Sequence, residues 1–542
     1  MRTDTKFVFR KHMSVGAPDA EADLNMLIPC FTDTGDLDIL DDINNNKCLI
    51  LGRTGSGKSA LIAALKNRET RVIELDPTSL SLSHISNSTI IRFFENLGVH
   101  LDVFYKLLWT HILIVELIKR HYGITDEASK RNFITRILDP LDKDPAHVRA
   151  LKYFEEWGQS FWLETSPRIH EVTERIERKF SAALKLRGVV VGANAQSTKA
   201  LTDEIKQQII TDGRQIVHDV QIRELHRLVD LLAEYAFGDE QQRYYIAIDK
   251  LDENWVDDIL RYKLIRALVE VIRNLKKLKS VKIVLAIRHD LLARVFEFTK
   301  DAGFQLEKYD NYLIKLRWTE EQLMDLLNKR INYELRHKYT KQDVGFADIF
   351  PATIDNDSTE KYLLKRTLLR PRDCIAFVND CFEAAAGETA ITVDAVRKAE
   401  KEYSAKRLRS LIDEWYVDYP LLNRYVEILR NKRASFHLRE LDTDQLDEFI
   451  CSLDDCNNTS DPLWRAAELW LNNKISRFEF ITALMEALYK VGCIGIKYDG
   501  PSNFVYCQTG PEFIDVNRLS PTSMLYIQRL LWAELKVNVR TG

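Results

Sequence analysis

The chain reads as an α/β protein: a doubly wound parallel sheet with a helical insertion, a helical lid and a C-terminal winged-helix-like region. Three observations predict this. Short apolar runs at residues 47–52, 71–75, 243–249, 281–287 and 312–316 alternate with segments of helical spacing, the pattern of a parallel sheet covered on both faces. The first run enters a glycine-rich turn that opens a helix. The last third is helical until residues 475–507, where a helix is followed by two short apolar runs around an Asp499-Gly500-Pro501 turn.

Taken in order, residues 1–46 are mixed in character, with turn signals at Gly16-Ala17-Pro18, and read as an N-terminal strap. Residues 47–52 (KCLILG) and 71–75 (RVIEL) are buried strands around a helix at 60–66, and 47–124 is the first part of the core. Residues 125–240 are largely polar and helical and form an insertion, with long charged helices at 175–186 and 202–235 and a candidate strand or hairpin at 188–192 (GVVVG). The core resumes over 241–320: strand 243–249 (RYYIAID), an amphipathic helix at 259–278, strand 281–287 (VKIVLAI) and a short strand at 312–316. A helical lid follows over 321–410, including a helix from Arg370-Pro371-Arg372 to Ala384. Residues 411–542 are the helical and winged-helix-like end.

Composition narrows the class. The chain has 542 residues, too many for one ordinary core, with a hydrophobic fraction of 45% and a charged fraction of 29%, as in soluble globular proteins. No apolar run reaches the roughly 20 residues that a bilayer span needs, and the charged start lacks a signal-peptide apolar stretch, so a cytoplasmic protein without membrane contact is expected. The 8 cysteines are scattered and form neither a disulfide framework nor a zinc pattern. A net charge of −4 argues against a wholly basic nucleic-acid binder.

The chemistry is carried by Gly52-Arg53-Thr54-Gly55-Ser56-Gly57-Lys58-Ser59, which fits G-x-x-x-x-G-K-[ST] in full and is followed by Ala60 at the start of the helix. Glycines allow backbone N–H groups to converge on a phosphate, and the helix start adds its positive dipole end. Lys58 is expected on the β- and γ-phosphates, and the Ser59 hydroxyl on Mg²⁺. Such a loop needs a second strand ending in an acid; Asp249 ends one and is the expected Mg²⁺ partner, with Asp252 or Glu253 as general base for the attacking water. A chance acidic turn capping the next helix explains Asp252 but not an Asp that ends an apolar strand. No Asn/Thr-Lys-x-Asp base-reading motif follows, so ATP is expected rather than GTP. Arg288 follows a strand directly and is a candidate phosphate sensor, the alternative being a surface pair with Asp290. Arg372, preferred to Arg370, is a candidate sensor on the lid.

The G-R-T-G-S-G-K-S loop and I-D-K-L-D-E segment resemble the STAND branch of AAA+-like P-loop ATPases, with the D-x-x-D/E arrangement of its NACHT and KAP members. A looser resemblance, carried also by Ala20–Asp23, Cys30-Phe31, Val72–Pro77 and Ile248–Trp255, links residues 13–316 to prokaryotic stand-alone ATPases, some found beside phage-defence genes. It implies Asp249 for Mg²⁺ and Asp252 for hydrolysis, with Glu253 competing, and an ATP-driven switch or motor acting on a separately encoded effector. It also implies a homo-oligomer, since ATPases of this class often complete their site with a neighbour's arginine. Lys250 departs from the Gly, Asp or small residue common there. The alternatives are a DNA-remodelling ATPase using the winged helix, and a scaffold that holds ATP without hydrolysing it. No nuclease, protease or deaminase constellation is present in the sequence.

Overall fold

The computed structural model describes residues 8–80, 85, 87–123, 165–186, 203–219, 229–230, 232–234, 236–253, 255–299, 307–441, 444–454, 456, 458–511 and 513–539. The candidate strand at 188–192 and much of the expected insertion lie outside these residues. The chain divides into two compact units. One is Gly35–Arg53 with Lys58–Leu316; the other is Met1–Thr34, Thr54–Gly57 and Arg317–Gly542.

The first unit is built on a five-stranded, all-parallel sheet. Its strands are β1 (Leu49–Gly52), β2 (Val72–Leu75), β3 (Tyr244–Ile248), β4 (Val281–Arg288) and β5 (Leu313–Lys315). They lie in the order β2-β3-β4-β1-β5. Parallel neighbours need long crossovers. These are supplied by α1 (Lys58–Arg68), α2 (Thr89–Asn96), α3 (Asp102–Tyr122), α4 (Thr165–Leu186), α5 (Asp203–Asp219), α6 (Asp258–Asn274) and α7 (His289–Phe298). The central strand β4 is buried from Val281 to Ile287, which is why its sequence is nearly unbroken in apolar residues. Lys282 interrupts that run and is itself buried; its Nζ donates to the carbonyls of Ile39 and Asp42, at 2.7 Å each, at the C-terminal end of helix Asp36–Asp41. Free carbonyls at a helix C-terminus are a natural seat for a cation. The residues expected to form one strap thus divide, and those from Gly35 onward belong to the sheet unit. The buried Trp109 of α3 fixes that helix to α6 by donating to the Leu264 carbonyl at 2.9 Å.

In the second unit α8 (Glu320–Leu335) opens on a capping box, Thr319 with Gln322. A small hairpin of β6 (Thr353–Ile354) and β7 (Asp357–Ser358) follows, then α9 (Pro371–Ala384) and α10 (Val393–Trp415). Phe9, Met13 and Val15 join the core of this helical region. Beyond it, β8 (Ser435–His437), α11 (Asp444–Asp454), α12 (Pro462–Leu471), α13 (Arg477–Val491), β9 (Ile494–Lys497) and β10 (Met524–Ile527) share another core. The three strands form an antiparallel sheet in the order β8-β10-β9. The two apolar runs around the Asp499-Gly500-Pro501 turn, residues 493–497 and 504–507, meet in one bridge, Ile496 to Val505; the ladder partner of β9 is β10, farther along the chain. Among the described residues no helix is long and apolar enough to cross a membrane.

Candidate functional site

The parallel sheet brings three chain segments to its carboxyl edge. β1 runs into the glycine-rich loop, and its last residue, Gly52, is in register with Arg288 at the end of β4. On the other side of β4 lies β3, whose Ile248 is paired with Leu285 and is followed by Asp249. Ligands of open α/β sheets bind beyond the carboxyl ends of the strands.

Within the sheet unit, Ser59 Oγ donates to Asp249 Oδ2 at 2.6 Å. The other carboxylate oxygen, Oδ1, accepts the Lys250 backbone N–H at 2.8 Å. Directly after Asp249 the chain turns sharply, with Lys250 at φ +61°. This left-handed conformation is one that glycine adopts freely, so the departure noted in the sequence is a lysine carrying a strained backbone angle. Lys250 Nζ lies 3.8 Å from Asp76, beyond the end of β2. Burial pushes the Asp249 carboxyl above the ordinary value, while the Ser59 and Lys250 hydrogen bonds and the charge of Lys58 oppose it.

Lys58 Nζ donates to the carbonyls of Gly52 at 3.2 Å and Arg53 at 3.1 Å, so the ammonium lies along the start of its own loop. Burial lowers its pKa, Asp252 and Asp249 raise it, and Arg288 lowers it further. Ala60, next along α1, is half-buried. Arg288 donates to both oxygens of Asp290 at 3.0 Å each, and its Nη1 lies 3.6 Å from Asp252 Oδ2. The pair with Asp290 weighed in the sequence is therefore present, together with a contact to the acidic segment. Glu253 is exposed, and its backbone N–H donates to the Lys250 carbonyl at 3.2 Å.

The loop tip, Thr54–Gly57, groups with the helical unit. Gly55 and Gly57 have φ +74° and +99°. A side chain at Gly55 would collide with Arg372, its Cβ falling 2.6 Å from the arginine's own Cβ. Arg372 donates its backbone N–H to the Gly55 carbonyl at 3.4 Å, and its Nε to the Pro18 carbonyl at 3.3 Å. Arg370 is 3% exposed; its Nη1 donates to the Thr54 carbonyl and to Glu414 Oε2, at 3.0 Å each. Both arginines meet the loop backbone, Arg370 with its guanidinium and Arg372 with its main chain. Sequence reasoning missed Trp318, whose Nε1 donates to the Ser56 carbonyl at 2.8 Å, and Glu414. A tryptophan two residues past Leu316, at the end of the expected last strand, was the available signal for the first; nothing local marks the second.

The hydroxyls of Thr54 and Ser56 are buried without a hydrogen-bond partner among the described residues. A loop tip with two buried orphan hydroxyls and left-handed glycines fits a bound phosphate group. Ser59 and Asp249 are hard oxygen donors of the kind Mg²⁺ takes beside phosphate. Among the described residues no group of three or more His, Cys, Asp or Glu is placed to form a metal cage.

The resemblance segment Ala20–Asp23 also acquires a structural reason. Asp23 is buried, accepts the Ala17 N–H at 2.9 Å and pairs with Arg330 of α8 at 2.6 Å. Gly16, at φ +105°, leaves the room that Arg330 occupies.

Comparison with known proteins bears on two stretches. Residues 321–412, from α8 into the last turn of α10, match the FunZ-associated C-terminal helical domain. Over 507 residues, 91% of its length, the chain is 21% identical to the putative transposon gamma-delta 80.3 kDa protein of Escherichia coli (strain K12), and it spans 63% of that protein.

Proposed function

We propose that the chain binds ATP with Mg²⁺ on the 52–59 loop and hydrolyses it, and that this cycle switches a separately encoded partner protein. The observation that carries the reading is the 2.6 Å hydrogen bond from Ser59 to Asp249. It joins the hydroxyl that opens α1 to the carboxylate that ends β3, at the strand edge where the loop turns. Mg²⁺ bound there neutralises phosphate charge. Lys58 turns from the Gly52 and Arg53 carbonyls toward the β- and γ-phosphates. Asp252 or Glu253 takes a proton from the attacking water, whose oxygen bonds to the γ-phosphorus as the bond to ADP breaks.

The resemblance to the STAND and AAA+-like ATPases supports this chemistry. A relative named for a transposon supports a role among mobile elements, within which control of an anti-phage effector is the function we favour. Protein contact is favoured over DNA for the C-terminal region. The two basic residues of α13 are engaged within the chain: Arg477 pairs with Asp447, and Lys490 lies 5.5 Å from the Trp415 ring centre and 5.7 Å from that of Tyr419.

Phosphate release from ATP, with Mg²⁺ and with EDTA, tests the reading. Mg²⁺-dependent release, absent in Asp249→Asn, is expected. Release that persists in EDTA would contradict it, and bound nucleotide without turnover would favour the scaffold alternative.

A further inference from the structure

We propose that Asp290 is a positioning residue that sets the direction of the Arg288 guanidinium at the nucleotide site. The inference rests on the ATPase reading and adds a residue to it. Arg288 closes β4 beside Gly52, and Asp290 lies two residues on, in the first turn of α7. Its two oxygens take Nε and Nη2 of Arg288 in a fork, at 3.0 Å each. A fork fixes the plane of a guanidinium as well as its distance. With that edge so held, the third nitrogen, Nη1, lies 3.6 Å from Asp252 Oδ2. The arginine and a candidate base are thus presented side by side.

Arg294 completes the device. Its Nη2 donates to the same Asp290 oxygen at 2.8 Å, one helical turn along α7. One carboxylate shared by two guanidiniums cancels only part of the charge of each. Arg294 thereby steadies the carboxylate that in turn holds Arg288. Both Arg288 and Asp290 are largely shielded, with 17% and 10% of their side chains exposed, so water screens the arrangement little.

The test is a double-mutant cycle on the full chain: wild type, Arg288→Ala, Asp290→Asn and the double variant, with Asp290→Glu as conservative rescue. ATP turnover and the affinities for ATP and ADP are measured at fixed Mg²⁺. Asp290→Asn keeps the side chain's size while removing its charge. It is expected to lower kcat between about 10- and 100-fold, the usual range for losing an orienting partner, and to erode the preference for ATP over ADP. Asp290→Glu should restore part of both. In the Arg288→Ala background Asp290→Asn should have no further effect, because its target is gone. Additive losses, or an unchanged ATP-to-ADP preference in Asp290→Asn, would overturn the proposal. A wild-type chain that binds no ATP would overturn the ATPase reading itself.

Discussion

Asp252 and Glu253 are adjacent in sequence but differ in surroundings. Asp252 faces Arg288, and its charge acts on Lys58 more than that of Asp249 does. The Glu253 backbone instead helps to close the acidic turn: its N–H binds Lys250 and its carbonyl accepts from Arg261 at 3.0 Å. Asp252→Asn should therefore cut ATP turnover by about 10²–10⁴-fold while leaving ATP affinity nearly intact, and Glu253→Gln should cost far less. Steady-state kinetics on both variants, beside equilibrium titrations, reads this directly; two variants of normal turnover would remove the acidic segment from the chemistry. The sequence motif exposes Lys58, Ser59 and Asp249 because phosphate and metal chemistry constrain both residue type and spacing. It does not reveal Asp290 as an orienting group, since an aspartate two residues after an arginine is equally a helix cap.

At the scale of elements, β1, β3 and β4 announced themselves because they are buried in the middle of a parallel sheet and read as near-continuous apolar runs, whereas the edge strands β2 and β5 are only partly buried and each carries an exposed charged residue. Elements with mixed faces were harder. β8 and β10 were not anticipated; they are only three and four residues long, and in β10 buried Leu525 and Ile527 alternate with half-buried Met524 and Tyr526. The β6–β7 hairpin was passed over although Asp355-Asn356, both at positive φ, is a turn pair suited to it. Long-range ion pairs leave no local trace. The Arg370–Glu414 pair joins the start of α9 to the end of α10 with side chains 4% and 6% exposed, and Arg407 of α10 lies 3.1 Å from the fully buried Asp373 of α9. Glu414→Ala would strand a buried guanidinium and should cost about 3–5 kcal/mol, whereas Arg370→Met with Glu414→Leu should cost clearly less. Denaturant unfolding of the single and double variants checks this. Equal destabilisation by the two would mean that the charges contribute no more than their volume.

The whole molecule extends well beyond the sheet unit. The helices of 321–412 and the C-terminal sheet with its helices form cores of their own. A γ-phosphate-dependent change does work only on something attached, so the account expects a homo-oligomer and a partner, each responding to nucleotide. Copurification from native cells should recover a partner protein with wild type in ATP, and lose it in Lys58→Ala and on deletion of residues 475–542; recovery insensitive to both changes would contradict partner control. All of this depends on the 52–59 loop being a phosphate site. Calorimetric titration of Mg²⁺–ATP into wild type and Lys58→Ala measures that most directly. The account predicts saturable binding to wild type and a loss on the order of 10²-fold or more in the variant, the weight of one contact to a charged group. Equal affinity in the two proteins, or no binding to wild type, would contradict it.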